Sequence, residues 1–312
     1  MEEKGVNTRI TDDKTLLGLL DELSNEGRWG ADDRLGTLNL IDQQARIRAA
    51  SAVRKGVSVD LSRPISPKAT RGMLPAGAVH FMMMTGTEAA ETGKAVTTDW
   101  FGMPIHGFNI THLDALSHVL WDGRSYNGIA ADSIEATRGA TDGGVDVAVG
   151  EIVTRAVLLD LPVVQEVDYL DRTTAIMPED LEAAEVASGV KVVPGDALIV
   201  RTGCDRWAKE REELGKQAAG LHASCLPWLR ERGVSVLISD ATHDVRPSGF
   251  VLDSPIHIVG ISRMGLWLVD NADLERVSAA CVEHQQWDML LSIAPLNLKN
   301  STGSPVSPTV VL

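Results

Sequence analysis

Hydrophobic positions along the chain repeat with two different periods. Between Asp12 and Arg28, Leu16, Leu17, Leu19, Leu20 and Leu23 gather on one side of a helix, which predicts an amphipathic helix over that span. Gln43 to Val53 carries a second helical pattern, with Asp42 placed to cap its first turn. From Val57 the alternation Val-Ser-Val-Asp-Leu predicts a half-buried strand. Ala156–Leu161, Ala197–Arg201 and Val234–Ser239 are short apolar runs of the kind found in a sheet covered on both faces. Helical patterns at Pro178–Ala187, Arg206–Glu213 and Leu221–Arg232 lie between and beside them, and Pro194-Gly195-Asp196 and Arg232-Gly233 supply turns. Met264–Asp270 predicts a further strand and Ala272–Cys281 a further helix. Phe81–Met84 has two readings, a buried strand or an adaptable thioether wall of a substrate pocket. The Ser/Pro/Gly-rich stretch Lys299–Pro308 predicts a loop. Strands alternating with helices predict a mixed α/β architecture.

Composition narrows the class. The 312 residues contain no repeat, low-complexity tract or clear linker, so a single domain over 1–312 is expected, with residues 1–55 as a helical N-terminal extension packed on it. With 44% hydrophobic and 23% charged residues, disorder over most of the chain is excluded. The 29 basic and 43 acidic residues leave a net charge of −14, which argues against a nucleic-acid partner. No stretch approaches the ~20 apolar residues that span a bilayer, and the start Met1-Glu-Glu-Lys-Gly5 lacks a signal-like apolar core. Three widely spaced cysteines, Cys204, Cys225 and Cys281, form neither a disulfide framework nor a CxxC pair, which suits a reducing compartment. The expectation is a soluble, cytoplasmic protein acting on a small molecule.

Eight histidines would fall one every ~40 residues if spread evenly, yet His106, His112 and His118 lie within thirteen. In an extended segment His112 and Asp114 point to the same side, where an imidazole nitrogen and a carboxylate oxygen can share one ion. A helical turn beginning at Asp114 would return His118 to the same place. Such a donor set suits zinc, manganese or iron better than calcium or magnesium, and an unliganded histidine beside it can move protons near neutral pH. On spacing alone, metal binding and ordinary packing both stay open.

The segment Thr111-His112-Leu113-Asp114-Ala115-Leu116-Ser117-His118 resembles the THxDxxxH signature of the metal-dependent cyclase/hydrolase family, which includes bacterial kynurenine formamidases and isatin hydrolases. His106-Gly107-Phe108 resembles the HG-aromatic lead-in of its longer members, and Tyr126-Asn127-Gly128 their YNG element. Trp29-Gly30 through Leu35-Gly36-Thr37-Leu38-Asn39, Arg155–Asp160, Pro194–Gly203, Ser239-Asp240, Pro255-Ile-His257, Gly265, Asp270-Asn271 and Thr302–Pro308 follow in the family's order. The resemblance implies a single α/β domain with a central barrel-like mixed β-structure flanked by helices, assembled as a homodimer or homotetramer. It implies one divalent ion, Zn2+ or Mn2+, held by His112 and Asp114, with His118 as general acid/base and His257 as a further ligand or oxyanion partner. One departure stands out: Phe108 occupies the place of a ligand histidine in shorter members, and His106 is the candidate replacement.

The activity expected from this likeness is hydrolysis of a small cyclic amide, a lactone or an N-acyl or N-formyl amide. Cyclisation, dehydration or isomerisation of a keto compound is the alternative, and a noncatalytic ligand-binding protein the third reading. Phe108, Trp100 and Phe101 border the metal motif and suit a flat aromatic substrate, core packing being the competing role. Asp240 is expected either to orient a ligand histidine or to cap its loop, and Asp270 either to face the substrate or to cap the following helix. His243 follows a strand end and is a weaker candidate, while His80, His222 and His284 read as surface or packing residues. No GxSxG, GxGxxG or P-loop motif is present.

Overall fold

The computed structural model describes residues 9–66, 77–211 and 217–312. The start at Met1–Gly5 and the last two positions of the Arg206–Glu213 helix lie outside the described residues. Among the described residues, eleven strands of three or more residues carry the fold. They are β1 (Ser58–Asp60), β2 (Val79–Met84), β3 (Thr98–Gly102), β4 (His112–Asp114), β5 (Val153–Asp160), β6 (Ala197–Arg201), β7 (Val236–Ser239), β8 (Trp267–Asp270), β9 (Asp288–Ser292), β10 (Gly303–Pro305) and β11 (Thr309–Val311). The helices used below are α1 (Asp13–Gly18), α2 (Leu20–Leu23), α3 (Gln43–Ser51), α4 (Gly86–Glu91), α5 (Pro178–Ser188), α6 (Cys204–Arg211), α7 (Cys225–Arg232), α8 (Pro255–Val259) and α9 (Glu275–His284).

Nine strands form one sheet in the order β1-β11-β9-β5-β6-β7-β8-β4-β10, curled into a half-barrel and flanked by helices. At its centre β5, β6, β7 and β8 run parallel, and every pairing outward from them is antiparallel. The parallel strands are the apolar runs of the sequence. Ala197, Leu198, Ile199, Val236, Leu237, Ile238 and Leu268 are all fully buried, as a strand covered on both faces requires. Each of the valine, leucine and isoleucine side chains contributes about 1.5–3 kcal/mol by leaving water.

Three stretches differ from their sequence patterns. The Asp12–Arg28 helix is broken into α1 and α2 and ends at Leu23, with Leu16 and Leu23 buried but Leu17 exposed. The strand expected at Phe81–Met84 exists, but Phe81, Met82 and Met83 are exposed rather than buried. Among the described residues it pairs with β3 alone, in a two-stranded sheet. The tail Lys299–Pro308, read as loop, supplies β10, whose register sets Gly303 opposite Asp114 and Pro305 opposite His112. Boundaries shift elsewhere: α7 starts at Cys225 because Leu221 is bridged to Ile176, α9 starts at Glu275, and a π-turn over Gly260–Met264 precedes β8.

The N-terminal segment is tied to the sheet by polar contacts over long sequence separations. Ile10 N–H donates to Ser224 Oγ at 2.9 Å, Asn25 Nδ2 to the Met264 carbonyl at 2.8 Å and Thr37 Oγ1 to the Ser235 carbonyl at 2.7 Å. Asp33 accepts from the Gly36 N–H and the Tyr126 hydroxyl, at 3.0 and 2.8 Å. Asn127 Nδ2 lies within 3.0 Å of three carbonyls, those of Gly30, Ala31 and Asp33. The Trp29–Asn39 and Tyr126–Gly128 motifs therefore lock each other. Gly36 has to be glycine, because at φ 56 any Cβ would stand 2.2 Å from the Gly265 carbonyl oxygen.

Candidate metal centre

The site forms where two sheet neighbours meet. β4 pairs antiparallel with β8, so His112 stands opposite Asp270 and Asp114 opposite Leu268. Leu113 points the other way into the core, fully buried, as strand alternation demands. His112 Nδ1 donates to the Ile110 carbonyl at 3.0 Å, which leaves Nε2 turned toward Asp114 Oδ1 at 3.5 Å. His106 arrives from the preceding loop: its Nδ1 donates to Asp114 Oδ1 at 2.9 Å and its Nε2 meets Thr302 Oγ1 at 2.9 Å. Gly303 makes room for that ring. Asn271, at φ 57, holds the loop by donating to the Gly107 carbonyl at 2.7 Å. His118 stacks on His106 with ring centroids 3.6 Å apart, its Nε2 3.9 Å from Asp114 Oδ1.

The other carboxylate oxygen of Asp114 faces a second group. His257 Nε2 lies 4.0 Å from Asp114 Oδ2 and 3.3 Å from Asp270 Oδ2. His243 Nε2 lies 3.0 Å from Asp270 Oδ1 without hydrogen-bond alignment. His106, His112 and Asp114 thus form one set of converging ligand atoms, and Asp114, His257 and Asp270 another, with Asp114 common to both.

Charges divide sharply within this small volume. Burial pushes the Asp114 carboxyl up, but the rings of His118, His106 and His112 outweigh it and hold it below the usual carboxylate range. Burial, together with the neighbouring histidines and against the pull of Asp114, pushes His118 down to about 4. Burial works the same way on His257, yet Asp270 and Asp244 overcome it and raise that ring well above the ordinary histidine value. Asp270 is buried too, but His257 and His243 hold it well below the usual range.

The donor set fits a divalent transition metal. Imidazole nitrogen with carboxylate oxygen is the ligand chemistry of zinc and manganese sites. Asp114 Oδ2, Asp270 Oδ1 and both ring nitrogens of His243 are buried without a hydrogen bond among the described residues. Such atoms are costly unless something binds them.

Other residues picked out by sequence fall in different places. Asp240 lies on no imidazole. Its carboxylate accepts from Thr202 N–H and Oγ1, Gly203 N–H and Cys204 N–H, which organises the turn into α6, and burial raises it. Asp270 does not cap α9, since Asp273 meets the Glu275 N–H there at 3.3 Å. Trp100 and Phe101 stand exposed on the β2–β3 hairpin, Trp100 stacked on Phe81. Phe108 lies beneath the Arg246 guanidinium at 5.7 Å. His80 pairs with Asp99 on the same exposed hairpin, His222 with Ser224, and His284 ends α9. Sequence reasoning passed over Thr302, Gly303 and Asp244. The first two lay in the closing motif, and nothing local to them points to His106.

Residues 59–243 match a family model, Cyclase, whose description is "Putative cyclase". A crystal structure described as a novel cyclase is 25% identical and superposes with a TM-score of 0.84 over 93% of this chain and 100% of that one. Isatin hydrolase A from Labrenzia aggregata, bound to benzyl benzoate, is 21% identical with a TM-score of 0.58, covering 84% and 94%. An isatin hydrolase bound to the product analogue thioisatinate is 17% identical with a TM-score of 0.60, covering 87% and 99%. No curated protein matches by sequence. The model match spans more than half of the chain and contains His106, His112, Asp114 and His118, and the chain belongs to the cyclase family.

Proposed function

We propose that the chain is a metal-dependent hydrolase that opens a small cyclic amide or lactone, or cleaves an N-acyl amide. The observation that carries this reading is Asp114, a fully buried carboxylate with one oxygen on His106 and His112 and the other, unbonded, toward His257. His106, His112 and Asp114 would hold one divalent ion, Zn2+ or Mn2+, and Asp114, His257 and Asp270 offer a second place. When bound, the ion supplies Lewis acidity toward a carbonyl oxygen and lowers the pKa of water toward ~7.

The side chains do the rest. His112 is fixed with its proton at Nδ1 on the Ile110 carbonyl, so Nε2 is the free lone pair. Were His106 to offer its Nδ1 to the ion in place of Asp114, its proton would sit at Nε2, where Thr302 Oγ1 can accept it. His118, held neutral by burial, accepts a proton at Nε2 and returns it to the departing nitrogen or oxygen. The isatin hydrolases with similar folds make aromatic cyclic amides the first substrates to test.

The experiment is metal content by elemental analysis of wild type and His112→Ala, prepared without added metal or chelator. About one or two equivalents of zinc or manganese in wild type, lost in the variant, supports the reading. No metal in either, with none taken up on titration, sinks it. Turnover in ¹⁸O-labelled water then separates hydrolysis, which labels the product, from cyclisation or isomerisation.

A further inference from the structure

We propose that Asp244 is a positioning residue that fixes the His257 ring and so sets the affinity of the Asp114–His257–Asp270 group for a divalent cation. This rests on the metal-dependent reading above. Asp244 is fully buried at the start of the loop after β7. Its Oδ2 accepts from His257 Nδ1 at 2.7 Å and from the His257 backbone N–H at 3.3 Å, while Oδ1 accepts from the Ile256 N–H at 2.6 Å. One carboxylate therefore grips both the first turn of α8 and the ring that α8 carries. With the proton committed to Nδ1, Nε2 is the nitrogen left facing Asp114 and Asp270.

The carboxylate is itself held. Leu221 N–H donates to the His243 carbonyl at 2.7 Å and Val245 N–H to the Leu221 carbonyl at 3.1 Å, clamping the backbone on both sides of Asp244. Gly220 lets that clamp close, since a Cβ there would lie 2.5 Å from the Asp244 carbonyl carbon. A carboxylate on the far nitrogen of a ligand histidine fixes its tautomer and raises its basicity, and removing one typically costs about 10–100-fold in metal affinity.

The competing role is that Asp244 merely caps α8. Asp244→Asn separates the two, because its amide oxygen still accepts from the Ile256 N–H that opens α8. Its NH2, turned to Nδ1, forces the ring proton onto Nε2. Zinc affinity measured by competition with a chromophoric chelator is expected to fall about 10–100-fold, as in His257→Ala, in a variant whose circular dichroism shows the wild-type fold. Asp244→Glu keeps the charge on the ring and is expected to hold zinc more tightly than Asp244→Asn. Wild-type zinc affinity in Asp244→Asn, with a loss in His257→Ala, overturns the proposal and leaves the capping role. Wild-type affinity in His257→Ala overturns the assignment of that group as a metal site.

Discussion

Gly303 lies where any side chain would strike the imidazole of His106: a Cβ there would stand 2.8 Å from His106 Cε1 and 2.8 Å from the Leu113 carbonyl oxygen. The first contact can be relieved by moving the ring; the second is backbone and cannot. Gly303→Ala should therefore push His106 off Asp114 and Thr302, at a cost of about 1–3 kcal/mol in stability. Zinc affinity should fall while the fold persists, read by metal competition alongside circular dichroism. Unchanged affinity would show that His106 is dispensable for holding the ion.

His118 and His112 should separate in their effects. His112 presents Nε2 inside the ligand cluster, whereas His118 stacks on His106 with its Nε2 3.9 Å from Asp114. His118→Ala is expected to keep the metal and lose about 10²–10⁴-fold in kcat. Equal loss of metal from both variants would make His118 a ligand instead.

The central sheet was legible because Ala197–Arg201 and Val236–Ser239 are buried along their whole length, so the apolar run and the strand coincide. The histidine cluster was legible because His112 and Asp114 sit two apart on one strand. The same logic misjudged Phe81–Met84, since an apolar run reports hydrophobicity and not what covers it. The five leucines between Leu16 and Leu23 overstated a helix that the chain breaks at Leu19. Thr302 meets His106 across 196 residues and Asp244 meets His257 through a loop turn. The first contact depends on how β10 is registered against β4 and the second on how the loop after β7 folds back onto α8, and no local pattern encodes either.

A buried ion pair holds the ends of two neighbouring strands. Asp160 and Arg201 are register partners on β5 and β6, both about 1–2% exposed, and Arg201 Nη1 donates to Asp160 Oδ1 at 2.9 Å. Arg201 also clamps Glu275, in the first turn of α9, through Nε and Nη2 at 3.0 and 2.8 Å. Arg201→Met strands Asp160 in the core and should cost about 3–5 kcal/mol in urea unfolding. Adding Asp160→Asn should recover part of the loss. A single variant within about 1 kcal/mol of wild type would mean that water reaches the carboxylate.

The alkaline limb of stability should report on a thiol. Burial, with Asp160 and Asp288 nearby, pushes the Cys281 thiol up to about 12 from an ordinary value near 9.0. Between those values the unfolded chain has released the proton and the folded chain keeps it. The folded state binds more protons there, so stability is full below about pH 9 and falls as pH rises toward 12. One such group contributes a slope of about 1.4 kcal/mol per pH unit. Cys225 is raised by burial as well and adds in the same direction. Cys281→Ala should flatten the limb by about one such slope in urea titrations between pH 9 and 11, at a cost of about 1 kcal/mol at pH 7 for the small cavity. An unchanged slope in that variant would assign the alkaline loss to other groups.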